Sequence, residues 1–167
     1  MAERVREGDL QSDGQGPITP SSSEVEGLHQ GLSALLMKAY FYTRRVFDEA
    51  MRPHGVSGSQ AGVLDRIYTR PGISGIEISR EMFTTPQAVQ IMLATLERKG
   101  LIERRQDPEN RRFVQAFLTE RGDTVIRACR AEALAAEQRI SKGISAEERD
   151  LVVRFLEHFL SHANPDR

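Results

Sequence analysis

Cysteine, tryptophan, a surplus of charge of one sign and long apolar runs are all scarce or missing in this chain of 167 residues. A lone cysteine, Cys129, excludes an intrachain disulfide and fits a reducing compartment. A formal net charge of -1 excludes a nucleic-acid binder that works by bulk positive charge, so any such contact must come from a local patch. No apolar run approaches the ~18 residues of a bilayer-spanning helix, and Met1–Glu7 hold no apolar core of a secretory signal. The expectation is a cytoplasmic protein with no membrane partner. No Ser-His-Asp ordering, phosphate loop or His/Cys cluster appears, so neither an enzyme nor a cofactor is expected. His158 and His162 stand four apart, but two ligands make no structural zinc site, and Glu157 points about 100° away on a helix.

What is present is one domain by length, behind a polar tail. Residues 1–23, with Gly8, Gly14, Gly16, Pro17, Pro20 and three consecutive serines, read as disordered. Residues 24–52 carry apolar side chains at helical spacing, from Leu28 and Leu32 to Phe47 and Ala50, until Pro53 and Gly55 stop them. A helix of that length spans roughly 43 Å at 1.5 Å per residue, more than one small globule covers, which points to a second subunit. Ser57 caps a helix to about Thr69 that buries Ala61, Leu64 and Ile67. After Arg70-Pro71-Gly72, a short helix runs to Met82 with Ile76 and Ile78 expected inward. Thr84 or Thr85 caps the next helix, with Pro86 in its first turn and Gly100 past its end. Two strands, about 101–105 and 112–118, flank the turn Asp107-Pro108-Glu109-Asn110. Thr119 opens a long helix to about Lys142, and Ser145 with Glu148 forms a capping box for a last helix to about Ala163.

The fold class is therefore mainly α: a winged helix-turn-helix lobe at residues 57–119, with helices at 24–53 and 120–163 forming a dimerisation lobe. Such a lobe holds a duplex by two grooves. The second helix of a helix-turn-helix lies in the major groove with its N-terminal residues at the base edges. Here those are Thr84, Thr85, Gln87 and Gln90. Gln bonds adenine N6 and N7 together, and a Thr methyl meets a thymine methyl. The segment 96–121 holds seven cationic side chains against five acidic ones. Arg111 and Arg112 sit at the wing tip, where an arginine gains from the potential of a narrow minor groove. Arg104 and Arg105 are assigned to phosphates or to support of the wing. By alternation only one of each adjacent pair faces DNA, and the sequence leaves open which one.

Three segments carry a resemblance: Leu96-Glu97-Arg98-Lys99-Gly100-Leu101-Ile102-Glu103-Arg104, Asp107-Pro108-Glu109-Asn110-Arg111-Arg112, and Leu118-Thr119-Glu120-Arg121-Gly122. In that order they resemble the recognition-helix end, wing and following helix of the MarR family of bacterial transcription regulators. Asn110 stands where the family's wing often has Asp, and Ile78-Ser79 where Leu-Ala is more usual. The resemblance spans roughly residues 28–163. It implies a homodimer bound to a pseudo-palindromic duplex, usually as a repressor, and release by a small molecule, often an aromatic acid. An aromatic acid calls for an arginine and flat apolar walls. His29, Met37, Tyr40, Phe41 and Arg44 are the candidate ligand residues. Cys129 lies in an Ala-rich helix with no neighbour to lower its pKa and reads as a buried, inert thiol. The rival from another class is a winged-helix protein-interaction module that never binds DNA. The near-neutral total charge favours it, and the wing arginines oppose it.

Overall fold

A computed structural model describes residues 31–106 and 114–163. Six α-helices and a two-stranded sheet follow in chain order: α1 (Leu32–Met51), α2 (Gly58–Thr69), α3 (Gly75–Glu81), α4 (Pro86–Arg98), β1 (Ile102–Gln106), β2 (Val114–Leu118), α5 (Glu120–Ile140) and α6 (Ala146–Ala163). The chain divides into two compact units, residues 1–39 and 40–167. Of the first, only 31–39 are described, as Gly31 and the opening turns of α1. The expected polar tail, the start of the first helix and the wing tip lie outside the described residues.

Local sequence sets the helix starts. Ser57 and Ser74 each accept a hydrogen bond from the backbone N–H three residues on, and the side chains of Gln60 and Glu77 accept from the serine N–H in return. Thr85 accepts from Ala88 N–H with Pro86 behind it, and Thr119 accepts from Gly122 N–H. Ser145 and Glu148 bond reciprocally ahead of α6. Each cap satisfies donors that a helix start leaves free.

The core of the second unit lies between α2, α3, α4, the sheet and α5. Val63, Leu64, Ile67, Ile78, Val89 and Leu96 are fully enclosed, with Ile126 and Cys129 from α5 against them. Ile76, expected inward, is exposed. Residues two apart on a helix point roughly 200° away from each other, so Ile76 and Ile78 cannot share one face, and Ile78 holds the core position.

β1 and β2 pair antiparallel, from Ile102 opposite Leu118 to Gln106 opposite Val114. The segment before α3 joins the sheet edge: Gly72 N–H donates to Ala116 C=O at 2.9 Å, and Ser74 bridges Gln115. At the base of the wing, α5 packs so closely that a Cβ on Gly122 would sit 1.9 Å from the Leu101 carbonyl oxygen. Over residues 146–162 α6 has no buried residue, and Leu151, Val152, Val153, Phe155, Phe159 and Leu160 are exposed along it.

Candidate nucleic-acid interface

α3 and α4 form the helix-turn-helix. Thr84 N–H donates to Ser79 C=O at 3.0 Å across the turn, and Phe83 between the helices takes a positive φ of 48°. At the other end of α4, Gly100 adopts a φ of 68°, and Gly100 and Leu101 N–H bond back to Glu97 and Leu96 C=O. That left-handed residue turns the chain into β1, so recognition helix and wing are joined by a rigid corner.

α4 has two faces. Val89, Leu93 and Leu96 are buried, while Gln87, Gln90, Ile91 and Ala94 are exposed on the opposite side at i, i+3, i+4 and i+7. Of the sequence-predicted residues, Thr85 is occupied as the cap and Thr84 is half-buried in the turn. Gln87 projects from the first turn of the outer face. Gln90 leans back, its Nε2 only 2.7 Å from where a Cβ on Gly75 would be, so it also packs the helix crossing. Thr95 turns its hydroxyl inward and donates to Ile91 C=O at 2.8 Å. Ile91, at 67% exposure, is absent from the sequence-based set. The signal is present in the sequence, because Ile91 falls outside the Val89–Leu93–Leu96 stripe.

The wing arginines divide by strand alternation. Arg104 donates through Nε and Nη2 to Glu97 Oε2, at 2.9 and 2.5 Å, and so ties β1 to α4. The Glu97 carboxyl is held below its ordinary pKa, chiefly by the hydrogen bond from Arg104; desolvation opposes this, and the Arg104 charge adds a smaller lowering. Arg105 on the other face pairs with Glu103, and its guanidinium lies over the Phe117 ring, 4.9 Å from the centroid. Lys99, part of the expected basic patch, donates to Gly55 C=O at 2.7 Å and to Gln60 Oε1 at 3.0 Å. Arg121 donates to Lys99 C=O. Arg111 and Arg112 lie outside the described residues.

The candidate effector residues are more dispersed. His29 lies outside the described residues. Met37 belongs to the first unit and is exposed. Tyr40 and Phe41 are exposed and meet edge to face at 5.4 Å. Phe41 and Arg44 border an open, charged concavity with Arg45, Asp48, Glu49 and Arg52, and Arg44 pairs with Asp48 at 3.7 Å. A second groove, of about 250 Å³, opens among the end of α1, α2 and α5. Phe47, Met51, Ala61, Ile126, Cys129 and Ala133 give it apolar walls, with Asp65, Arg66 and Arg130 beside them. Cys129 is 1% exposed, and burial pushes its thiol pKa up. Among the described residues, no group of three or more His, Cys, Asp or Glu is placed to hold a metal ion, and no helix is long and apolar enough to cross a membrane.

Known proteins share this fold. The sequence model of the MarR family matches residues 54–112. The HTH-type transcriptional repressor Rv2887 of Mycobacterium tuberculosis is 29% identical over 126 residues, covering 75% of this chain and 91% of that one. The transcriptional regulator HosA of Escherichia coli O111:H- is 25% identical over 133 residues, covering 77% and 98%. Among solved structures, a cysteine-to-serine variant of E. coli MarR complexed with operator DNA superposes with a TM-score of 0.73 at 25% identity, over 77% of this chain and 93% of that chain. Bordetella bronchiseptica BpsR, whose DNA binding is described as regulated by 6-hydroxynicotinic acid, shares the fold with a TM-score of 0.74 at 21% identity, over 78% and 94%.

Proposed function

From the premise that this chain belongs to the MarR family, we propose that it is a homodimeric, sequence-specific DNA-binding transcriptional regulator, a repressor released by a small molecule. The observation that carries the reading is the outer face of α4. It presents Gln87 beside a capped N-terminus, and it is locked to the wing by Arg104 and Glu97. A helix so placed enters the major groove while the wing follows the backbone. In this reading residues 57–119 hold the duplex. Gln87 and Gln90 face base edges, Thr84 and Thr85 stand at the helix start, and Arg105 with one of Arg111 and Arg112 meets the backbone or minor groove. Arg104 acts by positioning the wing. A regulator known to bind operator DNA has the same fold and supports the assignment.

Homodimerisation through residues 24–53 and 120–163 is supported by the apolar side chains that one copy leaves exposed on α6, joined by Leu134 on α5 and Tyr40, Phe41 and Tyr42 on α1. Two copies of such a stripe cover each other and set two recognition helices on the half-sites of a pseudo-palindrome.

The effector is proposed to bind the groove of α1, α2 and α5. A groove with apolar walls and few polar groups suits an aromatic acid better than the charged concavity beside Phe41 and Arg44. Arg66 or Arg130 would meet its carboxylate.

Duplex binding at increasing salt tests the central claim. A regulator loses affinity steeply, by ~0.9 log unit per log unit of salt for each phosphate neutralised. Replacing Arg111 and Arg112 together by Ala weakens binding to every duplex. Gln87→Ala relaxes the preference at one base pair by about 1–3 kcal/mol. Absence of saturable duplex binding would leave the interaction-module reading in its place.

A further inference from the structure

We infer that Ile91 determines specificity by reading the 5-methyl group of a thymine in the major groove, an inference that rests on the regulator reading above. At 67%, Ile91 has the greatest exposure among the large apolar side chains exposed in the described residues. Its place distinguishes it from the single apolar residues scattered over any surface. It lies one turn after Gln87, next to Gln90, and about 200° around the helix from buried Val89. The centre of the outer face of a recognition helix is thus an aliphatic group flanked by two amides.

Three local features suit it to a base edge. Ile91 is β-branched, so its χ1 is nearly fixed in a helix and little order is lost on contact. Ala94, one turn further on, is exposed and too small to hold the helix off the groove. The Thr95 hydroxyl already donates to Ile91 C=O, so its proton does not compete with Ile91 for the base edge. In the major groove the thymine methyl is the one apolar group a base pair offers, and an amide such as Gln87 recognises the adjacent adenine. A Gln-x-x-x-Ile pair one turn apart therefore reads an adenine and a nearby thymine together.

The test begins with selection of duplexes from a random pool by the full chain. Each thymine of the selected site is then replaced in turn by deoxyuridine, which removes the methyl and nothing else. We expect one thymine per half-site at which the wild-type protein loses affinity about fourfold, the worth of one buried methyl-sized group. With both half-sites changed the loss compounds to ~15-fold. Ile91→Ala loses a similar amount on the thymine duplex and no longer distinguishes thymine from deoxyuridine, with an unchanged thermal melt. Ile91→Val keeps part of the discrimination. Equal thymine-to-deoxyuridine ratios for wild type and Ile91→Ala overturn the inference but leave the regulator reading intact, since a site was still selected. A pool that yields no selected duplex overturns both. An Ile91→Ala protein that loses the dimer as well as the discrimination places Ile91 between protein copies and also overturns the inference.

Discussion

The winged-helix lobe and α6 spend their apolar residues in opposite ways. In the lobe, Val63, Leu64, Ile67, Ile78, Val89 and Leu96 are all enclosed, and the corners between elements are closed by caps and left-handed glycines. In α6, six large apolar side chains are exposed and none is buried. Both elements have helical periodicity in sequence, but only the lobe completes its core within one chain. The lobe can therefore keep its shape whatever covers α6, and under the proposed dimer its recognition helices can move without melting. Stability within the lobe should depend on packing, and stability of α6 on protein concentration.

The largest expected effect tests the lobe. Ile67→Ala empties a fully enclosed site and should cost about 2–5 kcal/mol, read as a lower thermal midpoint at every protein concentration. Gly122→Ala attacks the same region by overpacking. Its new Cβ would lie 1.9 Å from the Leu101 carbonyl oxygen, a backbone atom of the wing base. The loss should be ~3 kcal/mol, at the upper end of the usual overpacking range. A Gly122→Ala protein as stable as the wild type would mean that α5 does not seat on the wing as described.

The next effect tests α6. Leu151, at 61% exposure, contributes little to one copy but about 1.5–3 kcal/mol if a partner buries it. Leu151→Ala should leave a dilute sample unchanged, weaken self-association in sedimentation, and remove the concentration dependence of the melt. A melt that ignores concentration in both proteins would break the comparison, because α6 would then owe its order to the chain alone.

Legibility in the sequence divides along the same line. Ser57, Thr119 and Ser145 are legible as caps, and Thr85 as one of two candidates, because a cap is a contact over three residues. The element order comes from those caps and from helical spacing. Ile76 and Ile78 stand about 200° apart on a seven-residue helix, so the pair cannot both face inward, and only the tertiary packing decides which one does. The cationic patch was legible only as a count. Lys99 reaches Gly55 across 44 positions and Arg104 reaches Glu97 across seven, so two of its charges are engaged within the fold. Which residues look outward from α4 depends on the register of its buried stripe, whereas polarity alone points to Gln87 and Gln90 and not to Ile91.

Smaller effects test the corners of the lobe. Ser74→Ala removes the acceptor for Glu77 N–H and one partner of the Glu77 carboxylate. It should cost about 1 kcal/mol, the same order as Thr85→Ala at the start of α4. The two substitutions differ in their effect on DNA. Thr85→Ala should also weaken duplex binding, since it loosens the turn that faces the groove, whereas Ser74→Ala should lower stability and leave sequence preference unchanged. Equal loss of binding in both would mean that the helix-turn-helix responds as one body.

The smallest effect concerns the link between wing and helix. Glu97 has its pKa lowered in the fold from an ordinary value of 4.5, chiefly by the hydrogen bond from Arg104. A carboxyl depressed on folding adds stability that is fully present above its unfolded pKa and is lost as pH falls through the folded one. The window therefore begins near pH 4.5 and extends below it, and nothing from this pair changes around neutrality. The side chains are 38% and 30% exposed, so solvent screens the pair and its worth is under about 1 kcal/mol. Arg104→Ala should flatten that part of the stability profile below pH 4.5. At neutral pH it should act on binding more than on stability, because β1 loses its fixed angle to α4. A wing that binds duplex equally well without Arg104 would show that the Gly100 corner alone sets its direction.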